Sequence, residues 1–279
     1  MGPRPVLVGN VDADLDVNID NNEQSYIVYR DLELRGARQG LRLYAWRGRV
    51  RGITLEDSLV STTRTAPRGT MSAGVYASVS EGTIANITIR RNEFHPFAAG
   101  SEHWGIYFVQ GVTDFRIEEN FFGPAGEDAI CIWYSSRGVI SRNRGGGNGE
   151  NTIDVKDSHD ILVSNNVAEN DAEYNIVVHT VTGVTHSIVL EQNTCRHAGQ
   201  GRKLTAGIAL LSVELTQVIA NLVEEPFGTG IYVHDSTTNS GNRVINNKVL
   251  NVQAQNRHAI LLDHAQGTQV LDNQISSPE

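Results

Sequence analysis

Short strands with one buried face recur along the whole chain. Each contains two apolar residues separated by a single position, and the apolar positions do not recur three and four residues apart. Alternation at period two, with β-branched residues dominating, predicts strands rather than helices. The nine apolar pairs are Leu41/Leu43, Val75/Ala77, Ile106/Phe108, Ile130/Ile132, Ile153/Val155, Ile176/Val178, Ile208/Leu210, Ile231/Val233 and Ile260/Leu262.

A second pattern, apolar-x-x-Asn-x-apolar, repeats between these strands. Its asparagines are 23 to 28 residues apart, which indicates one supersecondary unit per step, stacked along an axis. Stacked asparagines can join their amides by hydrogen bonds along that axis, so we assign this column a structural role. The column consists of Asn92, Asn120, Asn143, Asn166, Asn193, Asn221, Asn247 and Asn273.

The two patterns together predict an all-β, single-domain parallel β-helix solenoid of about nine to ten turns. The domain is expected to span residues 1–279. We expect residues 1–24 to form an N-terminal cap or an irregular lead-in and residues 276–279 to form a tail.

Composition and charge limit the classes of partner. The net charge of −9 and the isoelectric point of about 5.5 argue against a nucleic-acid partner. No apolar run reaches the ~18 residues of a membrane span. The two cysteines, Cys131 and Cys195, are too few for a disulfide framework and match no zinc-site spacing. The first residues carry no apolar segment of signal-peptide length, so we expect a cytoplasmic protein or one whose leader was removed.

Candidate chemistry lies on the predicted outward face. If the apolar pairs point inward, the residue after each pair points outward, which aligns Trp133, Lys156 and His179 about 4.8 Å apart, with Asp154 and Asp128 beside them. Longer turns on either side are expected to wall a groove and to gather cations, as an anionic chain-like ligand would require. The basic residues of these walls are Arg64, Arg68, His95, His103, Arg196, His197, Arg202 and Lys203.

The Gly-Ile-Tyr strand starts, such as Gly105-Ile106-Tyr107, and the asparagine turns resemble the right-handed parallel β-helix superfamily of pectate lyases. The resemblance covers residues 26–275. It implies a right-handed coil and a secreted or extracellular location. Because the superfamily includes polysaccharide lyases, polygalacturonase-type hydrolases, mannuronan epimerases and phage tailspikes, the resemblance identifies the architecture better than the activity.

The residue types favour a polysaccharide lyase that cleaves a uronic-acid polymer by β-elimination, which needs a cation, a base and an acid. By the resemblance, Lys156 is the expected base, His179 assists it and Asp154 completes the catalytic group. Trp133 or Tyr107 offers a ring to a sugar face. The further expected substrate contacts are His103, Arg202, Lys203 and His234. The resemblance also makes calcium a candidate cofactor, with Asp128, Glu150 and Asp157 as its ligands.

Other classes remain open. A glycoside hydrolase could use Asp154 with Asp128 or Asp157 as its paired carboxylates. A uronate epimerase would share the proton-abstraction step, although the Asp-Pro-His phrase expected of epimerases is missing. A non-catalytic β-helix could bind polysaccharide or form a structural stalk. The expected partner in each case is an acidic polysaccharide or oligosaccharide, and the sequence does not decide between a monomer and a trimer.

Overall fold

The computed structural model describes residues 4–9, 17–62, 71–95, 102–199, 205–235, 240–252 and 258–276. Within these ranges all regular structure is β-strand, and every strand pair is parallel, so the predicted all-β parallel solenoid is confirmed. None of the elements in these ranges is a helix long and apolar enough to cross a membrane.

The strands in chain order are β1 (Val6–Val8), β2 (Val17–Asn22), β3 (Val28–Arg30), β4 (Glu33–Arg35), β5 (Gln39–Ala45), β6 (Arg49–Glu56), β7 (Leu59–Ser61), β8 (Ser72–Val79), β9 (Thr83–Arg90), β10 (Glu93–His95), β11 (His103–Gln110), β12 (Val112–Glu118), β13 (Phe121–Phe122), β14 (Ile130–Trp133), β15 (Ser136–Ser141) and β16 (Arg144–Gly146). They continue with β17 (Ile153–Lys156), β18 (His159–Ser164), β19 (Val167–Glu169), β20 (Tyr174–His179), β21 (His186–Glu191), β22 (Thr194–Arg196), β23 (Ala206–Leu211), β24 (Gln217–Ile219), β25 (Leu222–Glu224), β26 (Thr229–His234), β27 (Arg243–Ile245), β28 (Lys248–Leu250), β29 (Ile260–Asp263), β30 (Gln269–Leu271) and β31 (Gln274–Ser276).

Each coil of the solenoid contributes one strand to each of three sheets. Sheet A contains β1 and every third strand through β31, sheet B runs from β2 to β29, and sheet C runs from β3 to β30. The nine apolar pairs of the sequence all lie on sheet B, in β5 to β29. The expected lead-in, residues 1–24, already contains the first strands of sheets A and B.

The core is a single apolar column between the three sheets. The inward-facing residues of successive coils stack on one another, and nearly all are fully buried. Phe94 and Phe122, on neighbouring coils, stack with ring centroids 4.7 Å apart and planes 5° apart. Because each coil buries its apolar face only against its neighbours, stability comes from the interfaces between coils.

The asparagine column forms a hydrogen-bonded ladder at the turn from sheet C to sheet A. Each side-chain amide donates to the carbonyl oxygen of the next asparagine, over 2.9–3.1 Å. Asn166 also donates to the backbone carbonyl of Ile140 and accepts from the backbone N–H of Asn143. The residue before each asparagine has left-handed backbone, for example Asn165 with φ 57°. The ladder therefore satisfies buried polar groups that this turn leaves outside the sheets.

We expect Asn166→Ala to lower the free energy of unfolding by about 3 kcal/mol, because it leaves buried donors and acceptors on two neighbouring coils without hydrogen-bond partners. Urea denaturation followed by far-UV circular dichroism measures the change. The matched control is Asn165→Gly, which should change stability by less than about 0.5 kcal/mol, since glycine adopts positive φ freely. Equal stability of Asn166→Ala and wild type would mean that the ladder does not hold the coils.

Candidate functional site

One row of side chains runs along the outer face of sheet B, and we call it the outer row. Its members are partners in the parallel register of successive strands, and all are partly exposed. The predicted alignment of Trp133, Lys156 and His179 on one outward side is thereby confirmed. The outer row consists of Trp133, Lys156, His179, Leu211, His234 and Asp263.

Asp154 joins two members of the outer row from beneath. One carboxylate oxygen lies 3.0 Å from Lys156 Nζ, and the other lies 3.0 Å from His179 Nε2. Only 3% of Asp154 is exposed, whereas both partners reach the surface. Since a buried carboxylate is costly unless it is paired, this geometry fixes the ammonium and the imidazole side by side.

The charges of this group support one another. Burial alone would raise the pKa of Asp154, but the hydrogen bond and charge of His179 and the charge of Lys156 hold it below its usual range. Burial alone would lower the pKa of Lys156, but the neighbouring acidic groups Cys131, Asp154 and Asp128 outweigh burial and raise it. Asp154 is therefore an anion and Lys156 a cation at neutral pH, which is opposite to the neutral lysine that a base requires.

Trp133 forms one wall beside Lys156. The ammonium lies 5.2 Å from the centroid of the indole ring, a cation–π distance. The indole N–H donates to Asp157 Oδ2 over 2.9 Å, and the ring of Tyr134 stacks on it at 5.3 Å. The indole orientation is thus fixed by the Lys156 ammonium, the Tyr134 ring and the hydrogen bond at its nitrogen.

Asp157 organises a turn. Its Oδ1 accepts hydrogen bonds from the backbone N–H groups of Val181 and Gly183 at 2.8 and 2.9 Å. These donors and the Trp133 indole hold the pKa of Asp157 below its usual range, although burial alone would raise it. Both carboxylate oxygens of Asp157 therefore accept hydrogen bonds from the chain. Asp157 follows the end of strand β17, whereas Glu150 precedes its start.

The proposed calcium ligands Asp128, Glu150 and Asp157 do not converge. Asp128 is buried and accepts from Trp104 Nε1 at 3.2 Å and from Asn151 Nδ2 at 2.8 Å. Glu150 lies against Glu127, and although its charge acts on Asp128, its oxygens do not join those of Asp128 in a group that could hold a metal. Calcium needs six to eight oxygen ligands around one point, so these three residues do not fit it.

A different trio of ligand atoms comes together in the described part of the chain. One atom each from Asp128, Cys131 and Asp154 lies within 4.8 Å of the others, and all three residues are buried. The thiol is a poor ligand for calcium, and Lys156 already places a positive charge against Asp154. This trio therefore fits a buried ammonium better than a hard cation.

Two expected substrate contacts are buried, contrary to the prediction. Tyr107 is only 5% exposed, because its ring stacks on Trp104 with centroids 4.4 Å apart. Burial is the main reason that its pKa is raised. His103 is fully buried at the start of strand β11, and burial lowers its pKa. Neither side chain can offer its ring to a sugar in this arrangement.

Tyr107 is buried because a second apolar layer lies on the outside of sheet B. Side chains between the apolar pairs pack in two small clusters rather than facing solvent. Of the remaining expected contacts, His234 lies in the outer row, whereas Arg202 and Lys203 lie outside the described residues. The buried members of the two clusters are Ala73, Trp104, Tyr107, Cys131, Val177, Ala206, Ala209 and Tyr232.

Sequence reasoning missed three residues that support the site. Cys131 Sγ lies 3.9 Å from Asp154 Oδ2, and Trp104 and Asn151 orient Asp128. The register of the predicted strands could have suggested that Cys131 lies beside Asp154, its partner on the next strand. Nothing in the alternation pattern indicates Trp104 or Asn151, because their bonds cross between coils outside the regular pairing.

We expect Glu127 to make stability depend on pH. Burial and the charge of Glu150 raise the pKa of Glu127 from 4.5 to about 7. Between these values the folded protein keeps a proton that the unfolded chain has released, so stability falls as pH rises across this window. Glu127→Gln should flatten that part of the curve of thermal midpoint against pH, whereas Glu191→Gln, in strand β21, should not. Equal slopes for Glu127→Gln and wild type would contradict the raised pKa.

Comparison with known proteins gives relatives for the fold. None of the curated proteins matches this sequence. Among solved structures, the A-module of the Azotobacter vinelandii mannuronan C-5 epimerase AlgE6 is 14% identical with a TM-score of 0.63, over 91% of this chain and 77% of that one. The A-module of AlgE4, a mannuronan C-5 epimerase of the same organism, is 14% identical with a TM-score of 0.50, over 85% and 87% of the two chains.

At this identity the likeness to both modules concerns the fold alone. The family model described as the right-handed β-helix region matches residues 50–207. This match covers more than half of the chain and agrees with the hand that the resemblance implied. The chain belongs to the right-handed β-helix family.

Proposed function

We propose that the protein is a polysaccharide lyase that acts on a uronate-containing polymer by β-elimination at the outer row of sheet B. The observation that carries the proposal is the Asp154 carboxylate, which holds the Lys156 ammonium and the His179 imidazole at 3.0 Å each. A cation and a base side by side are what the removal of a proton next to a carboxylate requires.

His179 is the base in this mechanism. The ionised Asp154 can only accept hydrogen bonds, so His179 Nε2 carries the hydrogen that faces it. The neutral imidazole then has Nδ1 as its acceptor. Nδ1 takes the proton from the carbon bearing the carboxylate, the electron pair forms a double bond to the adjacent carbon, and the glycosidic oxygen leaves. The imidazolium returns the proton to the leaving oxygen on the same face.

Lys156 serves as the cation rather than as the base. Its ammonium binds the uronate carboxylate and stabilises the negative charge that develops when the proton is removed. About 18% of its side chain is exposed, which leaves it within reach of a ligand lying on the outer row. Trp133 offers an indole edge beside it, and the sugar ring contacts this edge.

The geometry favours the lyase over a hydrolase. Asp128 and Asp154 are both buried and held by partners of the chain, so they do not offer the accessible pair of carboxylates that a glycosidase needs. Asp157 cannot replace Asp128, because the turn at residues 181–183 occupies its oxygens.

Uronate C-5 epimerisation is the second candidate. It shares the proton-abstraction step but returns the proton to the opposite face of the same carbon. Two structures similar to this chain, with TM-scores of 0.63 and 0.50, are modules of mannuronan C-5 epimerases. Their activity supports a uronan as the substrate class for this chain.

We expect the wild-type protein to generate the ultraviolet absorbance of an unsaturated uronate when it is incubated with pectate, alginate or a glycosaminoglycan. His179→Ala should reduce the rate by about 10² or more, because it removes the group that moves the proton. Lys156→Gln should reduce kcat as well, since the developing charge loses its counter-ion. His186→Ala, on sheet C, is the matched control and should keep the wild-type rate.

Deuterium incorporation at the carbon bearing the carboxylate, measured by NMR in heavy water, separates the candidates. Incorporation without absorbance would establish the epimerase. New reducing ends without either signal would establish a hydrolase, and binding without any product would establish a binding module. Full activity of His179→Ala would overturn the assignment of the base.

A further inference from the structure

A second polar cluster lies farther along the outer row. Asp263 Oδ2 accepts a hydrogen bond from the hydroxyl of Tyr232 at 3.1 Å and lies 3.1 Å from His234 Nδ1. The ring of His264 stands perpendicular to that of His234, with centroids 6.0 Å apart. His234 and Asp263 are register partners on adjacent strands, so this cluster is built on the same sheet as the Asp154 group.

The hydrogen bonds that Asp263 accepts from Tyr232 and His234 both go to Oδ2 rather than to Oδ1. Asp263 Oδ1 lies 3.6 Å from His264 Nε2, which is too long for a hydrogen bond. The hydrogen bonds of His234 and Tyr232 hold the pKa of Asp263 below its usual range, although burial alone would raise it. Asp263 therefore presents a charged acceptor to solvent, and His264, which is 79% exposed, lies beside it.

This chemistry suits sugar hydroxyls and disfavours a carboxylate. An ionised aspartate repels an anionic group but accepts strong hydrogen bonds from hydroxyls. The imidazole of His234 supplies a donor or acceptor next to it. The cluster thus differs from the Asp154 group, where an ammonium faces the surface.

The outer row connects the two groups without interruption. Leu211 lies between His179 and His234 in the register and is partly exposed, which gives an apolar surface for the C–H face of a sugar. His234 lies two strands from His179, about 10 Å away, and Asp263 lies four strands from Lys156, about 19 Å away. A polymer that follows the row would place sugar units over Leu211 before it reaches Asp263.

We infer that Asp263, His234 and His264 form a remote subsite that binds the hydroxyl edge of a sugar unit in the same polymer, with Tyr232 positioning the carboxylate. The inference rests on the proposed function for its polymer class. Its consequence is that affinity depends on chain length, because only an oligosaccharide long enough to span the row can reach both groups.

Binding of oligogalacturonates and oligomannuronates from the trimer to the octamer, measured by isothermal titration calorimetry, tests the subsite. For wild type, the Kd should drop by about tenfold at the length that first reaches Asp263. Asp263→Ala and His234→Ala should each remove this step, so that long and short oligomers bind alike. His159→Ala, a partly exposed histidine on sheet C, should retain it.

The outcomes separate this subsite from the proposed function. A length step that survives in both Asp263→Ala and His234→Ala would overturn the subsite while leaving the lyase untouched. A step that these variants abolish, in a protein with no turnover of any uronan, would support the subsite and overturn the lyase. Absence of any length step in the wild type would also overturn the subsite, and circular dichroism spectra of the variants would confirm that they are folded.

Discussion

In-register stacking of the coils is the constraint on which the rest of the structure depends. Parallel pairing places equivalent positions of successive sheet B strands side by side, so residues distant in sequence become neighbours. Lys156 and His179 are brought together in this way, as are Leu211 and His234. The asparagine ladder keeps the register by closing each turn between sheets C and A in the same manner. Differences in coil length are absorbed in the other turns.

The buried carboxylate of Asp154 connects the aligned side chains of Lys156 and His179 and so forms the candidate site. It lies beside the second apolar layer outside sheet B, against Cys131, where water is largely excluded and charges interact strongly. The ammonium of Lys156 compensates its charge and the imidazole of His179 is hydrogen-bonded to it, and these contacts hold both groups in fixed positions. The nearby Asp128, one of the expected calcium ligands, is held by Trp104 and Asn151.

The sequence predicted the fold and the outer row well because both depend on periodicity. Period-two alternation and the spacing of the asparagines indicate which residues share a face. They do not indicate whether that face is covered, so Tyr107 and His103 were expected at the surface although both are buried. The sequence pattern also could not predict that Asp157 accepts hydrogen bonds instead of binding calcium, since its donors lie in a turn of another coil. The charge state of Lys156 follows from the number of acidic neighbours, which only the packed structure reveals.

Engineered disulfides measure the register of the outer row most directly. His179 and Leu211 are partners on adjacent strands, so cysteines at both positions would have Cα atoms about 5 Å apart, within the range that a disulfide spans. Cysteines at 179 and 234 would be two strands apart, about 10 Å, which is too far. The structure predicts rapid cross-linking on mild oxidation for the first pair and none for the second. Cross-linking of the second pair, or of neither, would contradict the alignment from which the site is built.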